Sequence, residues 1–287
     1  MDYPTRLLQS NDFPPLLTEI PDAPKRLFVR GILPSYDEYM FLCVVGSRAA
    51  SPYGRRACSS LISGLAGAPV CIVSGLALGI DADAHEAALS VGLKTIAVLP
   101  SSADDATIYP TTNRPLAKRI LQSGGALVSE YEDGSRAAQW TFPARNRIMA
   151  GLSNATLIIE ASEKSGTQIT ARLALDYNRD VLCVPHPIGV EGGLGGNRLI
   201  REGALIIRDS ADILDALGLK RSTSSQVELP ADLTATERAI MLILSEPLSR
   251  DEIISRAGIP TREANISLSS LSIRGIIIER LEKIEKA

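Results

Sequence analysis

The stretch Phe41-Leu-Cys-Val-Val-Gly-Ser-Arg48 limits the folds open to this chain. Its first five residues are a short apolar run with β-branched valines, which suits a strand buried on both faces. Gly46, Ser47 and Arg48 then turn the chain, and residues 52–65 read as a helix. The pattern recurs where Val70 to Ser74 leads into Ser74-Gly75-Leu76, and where residues 157–161 lead into Ser165-Gly166-Thr167. Further apolar runs at 95–99, 126–130, 181–185 and 205–208 alternate with helical segments at 81–91, 114–122, 145–151, 167–177, 197–202 and 211–217. This alternation predicts the α/β class: an extended Rossmann-like, doubly wound and mostly parallel sheet with helices on both faces. In such a sheet all three turns open on one edge. Backbone N–H groups left unpaired at helix N-termini attract anions, and Arg48 adds a forked cation. The predicted ligand is phosphate-rich and lies along the carboxyl ends of the strands.

The flanks differ from this core. Residues 1–37 carry Pro4, Pro14, Pro15, Pro21, Pro24 and Pro34, which predicts an irregular arm, with Leu16, Leu17, Ile20, Leu27, Phe28 and Ile32 packing it onto the main domain at 38–219. Residues 220–231 are polar, with Pro230, and read as a linker. Beyond it, Thr234-Ala-Thr-Glu237 and Ser249-Arg-Asp-Glu252 are capping boxes that start two helices. Thr261 is expected to cap a third, and residues 276–281 a strand to follow. That order predicts a winged helix-turn-helix at 232–287, suited to protein contact as much as to duplex DNA, because its third helix is poorly basic.

The formal net charge is −3, so any anion site must be a local patch. Four scattered cysteines and two distant histidines predict neither a disulfide framework nor a metal site. No apolar run approaches about 20 residues and no signal-peptide pattern opens the chain, so a cytoplasmic location is expected, with no membrane partner. No Walker A sequence or G-x-G-x-x-G turn occurs, and no cofactor or catalytic residue is predicted. The glycine-rich residues 189–196 read as a flexible loop.

Two clusters remain open in the sequence. Arg145, Asn146 and Arg147 follow Trp140 and Phe142, a set that suits a single nucleic-acid strand, phosphates to guanidinium and bases to rings. The same residues also fit aromatic core plugs with surface ion pairs. Asp81 and His85 lie one helical turn apart. A helix cap with a structural histidine is the favoured reading there over an acid–base pair. Glu160, beside the third turn, either orients a ribose or holds a loop.

With these motifs laid out, the chain resembles the bacterial DNA-processing protein family DprA, also called Smf. The resemblance runs from Pro14 to Asp215 through Gly46-Ser-Arg48, Ser74-Gly-Leu-Ala77, Gly79-Ile-Asp81, Tyr109-Pro110, Ser129-Glu130-Tyr131, Phe142-Pro-Ala-Arg-Asn-Arg147, Ser165-Gly-Thr167 and Asn197 to Ala204. It implies single-stranded DNA binding, shielding of incoming strands, displacement of single-strand-binding protein and loading of RecA recombinase in natural transformation. It also implies a homodimer without catalytic activity. Arg48 matches the family's DNA-binding arginine, and Phe142 to Arg147 match its strand-binding segment. The expected DNA-binding set is therefore Gly46, Ser47, Arg48, Ser74, Gly75, Trp140, Phe142, Arg145, Asn146, Arg147, Ser165, Gly166 and Thr167.

The chain departs from the family at Leu78, where an arginine is usual, and at His186, where glycine is usual. A lysine near the Phe142 segment has no counterpart, and a proline-rich arm stands where a helical N-terminal domain is common. The alternative is a nucleotide phosphoribohydrolase of the lysine-decarboxylase-like (LOG-type) family, which Arg145, Met149 and Gly166-Thr167 also resemble. Its Pro-Gly-Gly before the Gly-Thr turn and the glutamate after it are missing.

Overall fold

The computed structural model describes residues 3–219, 233–244, 248–280 and 283–286. The chain divides into two compact units, Met1–Arg221 and Ser222–Ala287; the linker expected at 220–231 lies outside the described residues apart from this division.

The first unit runs β1 (Thr5–Leu8), α1 (Pro15–Thr18), β2 (Leu27–Gly31), β3 (Met40–Val45), α2 (Pro52–Ser63), β4 (Val70–Ser74), α3 (Ile80–Ser90), β5 (Lys94–Val98) and α4 (Arg114–Gln122). It continues through β6 (Ala126–Ser129), α5 (Thr141–Gly151), β7 (Ala155–Ile158), α6 (Gly166–Asp176), β8 (Asp180–Cys183), α7 (Glu191–Arg201), β9 (Leu205–Ile206) and α8 (Ser210–Ala216). The strands form one sheet in the order β1-β2-β6-β5-β4-β3-β7-β8-β9. All neighbours from β6 to β9 are parallel. The apolar runs are continuous because both faces are covered. Phe41, Cys43 and Val45 of β3 enter one core cluster, while Leu42 and Val44 enter the other.

The first 37 residues are not an irregular arm. β1 and β2 pair antiparallel, and β2 pairs antiparallel with β6, so the segment builds one edge of the sheet. Leu27 and Val29 alternate inward on β2, and Pro14, Pro15, Pro21 and Pro24 all fall in the connection between the two strands, where no ladder bond is lost.

Two more elements differ from expectation. α5 starts at Thr141 rather than Arg145, since Pro143 sits in the first turn, where its missing N–H is harmless. The glycine-rich stretch is not a loop but the first half of α7. Its glycines serve packing. A Cβ on Gly193 would lie 2.1 Å from the Cβ of His186, and one on Gly195 would lie 2.2 Å from Gln168 Nε2 and under 3 Å from two backbone carbonyls.

The second unit contains α9 (Ala235–Ile243), α10 (Arg250–Ala257), α11 (Thr261–Ile273) and an antiparallel pair, β10 (Ile277–Arg280) with β11 (Lys283–Lys286). Both capping boxes form, and Gly258 closes α10 in the left-handed region. α11 is entered through Pro260 rather than capped by Thr261. Three helices and a hairpin is the element order of a winged helix. Among the described residues no helix is long and apolar enough to cross a membrane.

Candidate functional site

β3 is the switch point of the sheet. β4, β5 and β6 follow on one side of it and β7, β8 and β9 on the other, so the loops leaving β3 and β7 diverge and open a crevice at their carboxyl ends. A cavity of about 300 Å³ lies there, lined by Gly46, Ser47, Arg48, Asp81, Phe142, Arg145, Asn146, Ser165, Gly166 and Thr167 among others.

The first turn is clamped against α3. Gly46 passes so close to Ile80 that a Cβ would lie 2.6 Å from its side chain, and the Ser47 carbonyl accepts from Ile80 N at 3.1 Å. This leaves Arg48 exposed, its guanidinium 5.0 Å from the centre of the Phe142 ring. No carboxylate of a described residue pairs with it. The helix that follows is not an open anion site. Ser51 Oγ accepts from Gly54 N and donates to Glu160 Oε2 at 2.7 Å, and the same carboxylate oxygen accepts from Ser51 N at 3.1 Å. Glu160 thus fills the position a phosphate would take at the start of α2, which answers the question its sequence left open.

The second turn is closed in the same way. Asp81 sits in the first turn of α3, buried, near the N–H of Ala77 at 3.4 Å. Burial pushes its carboxyl pKa up, and Arg145, the backbone N–H groups and Arg48 oppose the shift. Ser74 is fully buried and donates to the Val44 carbonyl at 2.7 Å, so it binds the sheet rather than a ligand. Gly75 makes room for Arg145: a Cβ there would lie 1.8 Å from its Nη1.

The third turn is open. Ser165 is the N-cap of α6 but makes no capping bond, and its Oγ is buried without a hydrogen-bond partner among the described residues. The first turn of α6 holds no acidic residue, and a Cβ on Gly166 would meet nothing within 4 Å. Of the three helix N-termini expected to hold anions, this one alone is not already occupied by a side-chain carboxylate.

The three arginines have three fates. Arg48 faces the cavity. Arg145 is 4% exposed and donates through Nη1 to the carbonyls of Gly75 (2.5 Å) and Val98 (2.8 Å), bracing the ends of β4 and β5. Arg147 leaves the cavity altogether and bonds both oxygens of Glu130 at 2.6 Å and the Asp22 carbonyl at 2.7 Å. The aromatics separate likewise. Phe142 lines the cavity, whereas Trp140 lies 67% exposed outside it, edge-on to Tyr131. Tyr109, not among the expected site residues, packs edge-on to Phe142 with centroids 5.8 Å apart. Only its Tyr-Pro motif pointed to it, and 33 residues separate it from Phe142.

His85 lies off the cavity and is fully buried. Thr95 Oγ1 donates to the Ile72 carbonyl at 2.9 Å, so at 2.7 Å from His85 Nδ1 it accepts, and the imidazole proton sits on Nδ1. Burial and the charge of Arg145 depress the imidazole pKa to about 3. The unfolded chain protonates near pH 6.5, so stability is lost as pH falls from there towards 3. The expected slope is about 1.4 kcal/mol per pH unit. Urea unfolding at pH 6 and pH 4.5, followed by the fluorescence of Trp140, should show that slope in the parent chain and its loss in His85→Gln. The four cysteines are buried free thiols, with Cys43 and Cys183 pushed up to about 12 by burial. Among the described residues no group of three or more His, Cys, Asp and Glu side chains is placed to hold a metal ion.

The family of DNA recombination-mediator protein A matches residues 5–218 of this chain. Protein Smf of Escherichia coli K12 is 37% identical over 276 residues, covering 93% of this chain and 73% of that protein. DNA processing protein DprA of Streptococcus pneumoniae R6 is 40% identical over 212 residues, 74% of this chain and 73% of its own. The X-ray structure of the Streptococcus pneumoniae protein superimposes with a TM-score of 0.68 at 38% identity, covering 74% of each chain. A structure of the Helicobacter pylori protein, described as giving insight into its single-stranded DNA binding mode, superimposes with a TM-score of 0.66 at 31% identity, over 75% of this chain and 96% of that one.

Proposed function

The chain belongs to the DNA recombination-mediator protein A family, the DprA or Smf proteins, and on that footing we propose that it binds single-stranded DNA along the carboxyl edge of β3 and β7. One observation carries the reading. An exposed arginine that no carboxylate of a described residue pairs with lies on an aromatic ring, beside the N-terminus of α6, whose first turn carries no acidic residue. Arg48 and the start of α6, with Ser165 Oγ, take phosphate; Phe142 takes a base. Gly46, Ser47, Asn146, Gly166 and Thr167 shape the cavity. Ser74, Gly75 and Arg145 act behind it as structure, and Trp140 and Arg147 act outside it.

The reading is that of a binding protein rather than an enzyme, because the nearby carboxylates are committed to the fold: Glu160 to α2 and Asp81 to the buried start of α3. Its family description as a recombination mediator supports RecA recombinase as the protein partner, with single-strand-binding protein displaced from the strand. We read it further as a homodimer that acts on DNA entering the cell in transformation. The exposed face of α11 carries Ile266 and Ile273 beside Arg262 and Glu263, a surface with little to offer phosphates.

A gel shift with oligo-dT and a duplex of equal length, run beside a nucleoside-monophosphate hydrolysis assay, tests the reading. The expected result is a shift with the single strand, a weaker one with the duplex, and no released base. Hydrolysis without a shift would transfer the site to the phosphoribohydrolase class. Light scattering at micromolar concentration should report twice the monomer mass.

A further inference from the structure

The main cavity has a smaller neighbour for which the binding scheme above has no use. It is a slot of about 40 Å³ walled by Leu78, Pro100, Tyr109, Pro110 and Phe142, with Arg48 contributing to it as well. Phe142 and Arg48 line both spaces, so the guanidinium and the ring beneath it form the partition between them.

The slot is apolar and open. Tyr109 is 48% exposed and Leu78 49%, so apolar surface at the rim of the slot is open to water. Its walls are stiff. Leu76 adopts the left-handed region with φ 57°, and its carbonyl and that of Ala77 are both held by Asn113 Nδ2, at 2.9 and 3.2 Å. The segment presenting Leu78 is therefore fixed before any ligand arrives. The slot is too small to enclose a nucleobase, so a base meets it by lying across the exposed Tyr109 ring and Leu78, covering both from water. Besides the Tyr109 hydroxyl, the polar side chains at the slot are Arg48, which takes the phosphate, and Arg145, which is committed to the Gly75 and Val98 carbonyls, so the contact tolerates any base.

We propose that this surface is a second nucleobase subsite. One base of the strand occupies the larger cavity on one side of Phe142, the next lies across Tyr109 and Leu78 on the other, and Arg48 holds the phosphodiester between them. The unit recognised is then a dinucleotide step rather than a single nucleotide. The proposal rests on the single-strand reading above and adds Tyr109 to it as a binding residue.

The test is displacement of fluorescent oligo-dT from the full chain by the dinucleotide pTpT and by two analogues, each with one base replaced by an abasic sugar. Against the parent chain each analogue should compete roughly 5- to 150-fold more weakly than pTpT, the span of one lost stack at ~1–3 kcal/mol. Against Tyr109→Ala, pTpT should fall to the level of one analogue, and that analogue should compete as it does against the parent. Tyr109→Leu, which keeps the apolar cover without the ring, should fall between the two. Unchanged affinity of Tyr109→Ala for pTpT, with Arg48→Ala weakened, would overturn the second subsite and leave the single-strand reading standing. If oligo-dT itself fails to bind the parent chain, both fall together.

Discussion

Arg145→Ala should lower the unfolding midpoint of the first unit by roughly 10 °C, the largest effect expected of any single change in the site. The guanidinium is buried and donates to the carbonyls of Gly75 and Val98 at the ends of two adjacent strands. Burial pulls its own pKa down, and the charge of Asp81 opposes this most strongly. Truncation leaves two buried carbonyls without that donor and a buried carboxylate without its compensating cation. Breaking such an arrangement costs about 3–5 kcal/mol. For a unit of this size each kcal/mol shifts the midpoint by roughly 2–4 °C. Differential scanning fluorimetry reads the shift directly. Asp81→Asn added to Arg145→Ala should recover part of the loss, since the stranded charge is then gone. Arg147→Ala should cost much less, because Glu130 and Asp22, which hold it, both keep access to water. Equal midpoints for the Arg145 variant and the parent would show that Arg145 is not the brace of the strand ends.

Arg48→Ala should weaken oligo-dT binding by roughly 10- to 150-fold, the span expected when one charge-assisted contact worth about 1.5–3 kcal/mol is lost. It should also flatten the dependence of log affinity on log salt by roughly 0.7, the value for one phosphate contact on a single strand. Stability should hardly change, because Arg48 is exposed and gives up its contact with the Phe142 ring and a minor share of the compensation of Asp81. Phe142→Ala should weaken binding by about 1–3 kcal/mol while leaving most of the slope, since a stacked ring releases no counterion. Trp140→Ala should bind as the parent does, because that ring faces Tyr131 outside the cavity. A salt titration by fluorescence anisotropy separates the three variants. An Arg48 variant with unchanged affinity and slope would remove the phosphate role of the first turn.

Local sequence carried much of this protein. The runs at β3 and β4 specify buried parallel strands because four or more adjacent apolar residues can be satisfied only with both sheet faces covered. Thr234 with Glu237 and Ser249 with Glu252 define helix starts through bonds that close within four residues. Gly46, Ser47 and Arg48 are legible as a turn at a sheet edge for the same reason: strand end, turn and helix start are contiguous.

Tertiary structure decided which groups remained available to a ligand. Arg145 and Arg147 look alike in the sequence, but α5 begins four residues before Arg145, and two positions on a helix are about 200° apart. One guanidinium therefore turns into the sheet and the other towards Glu130. Glu160 reaches Ser51 across 109 positions, and that contact, invisible to any local pattern, closes the first helix to anions. The glycines of α7 resemble a loop until His186 and Gln168 stand against them. Proline spacing gave no sign of β2, whose partner β6 lies about a hundred residues downstream. In each case residue type sets what a group is able to bond, and only the folded chain sets which partner reaches it first.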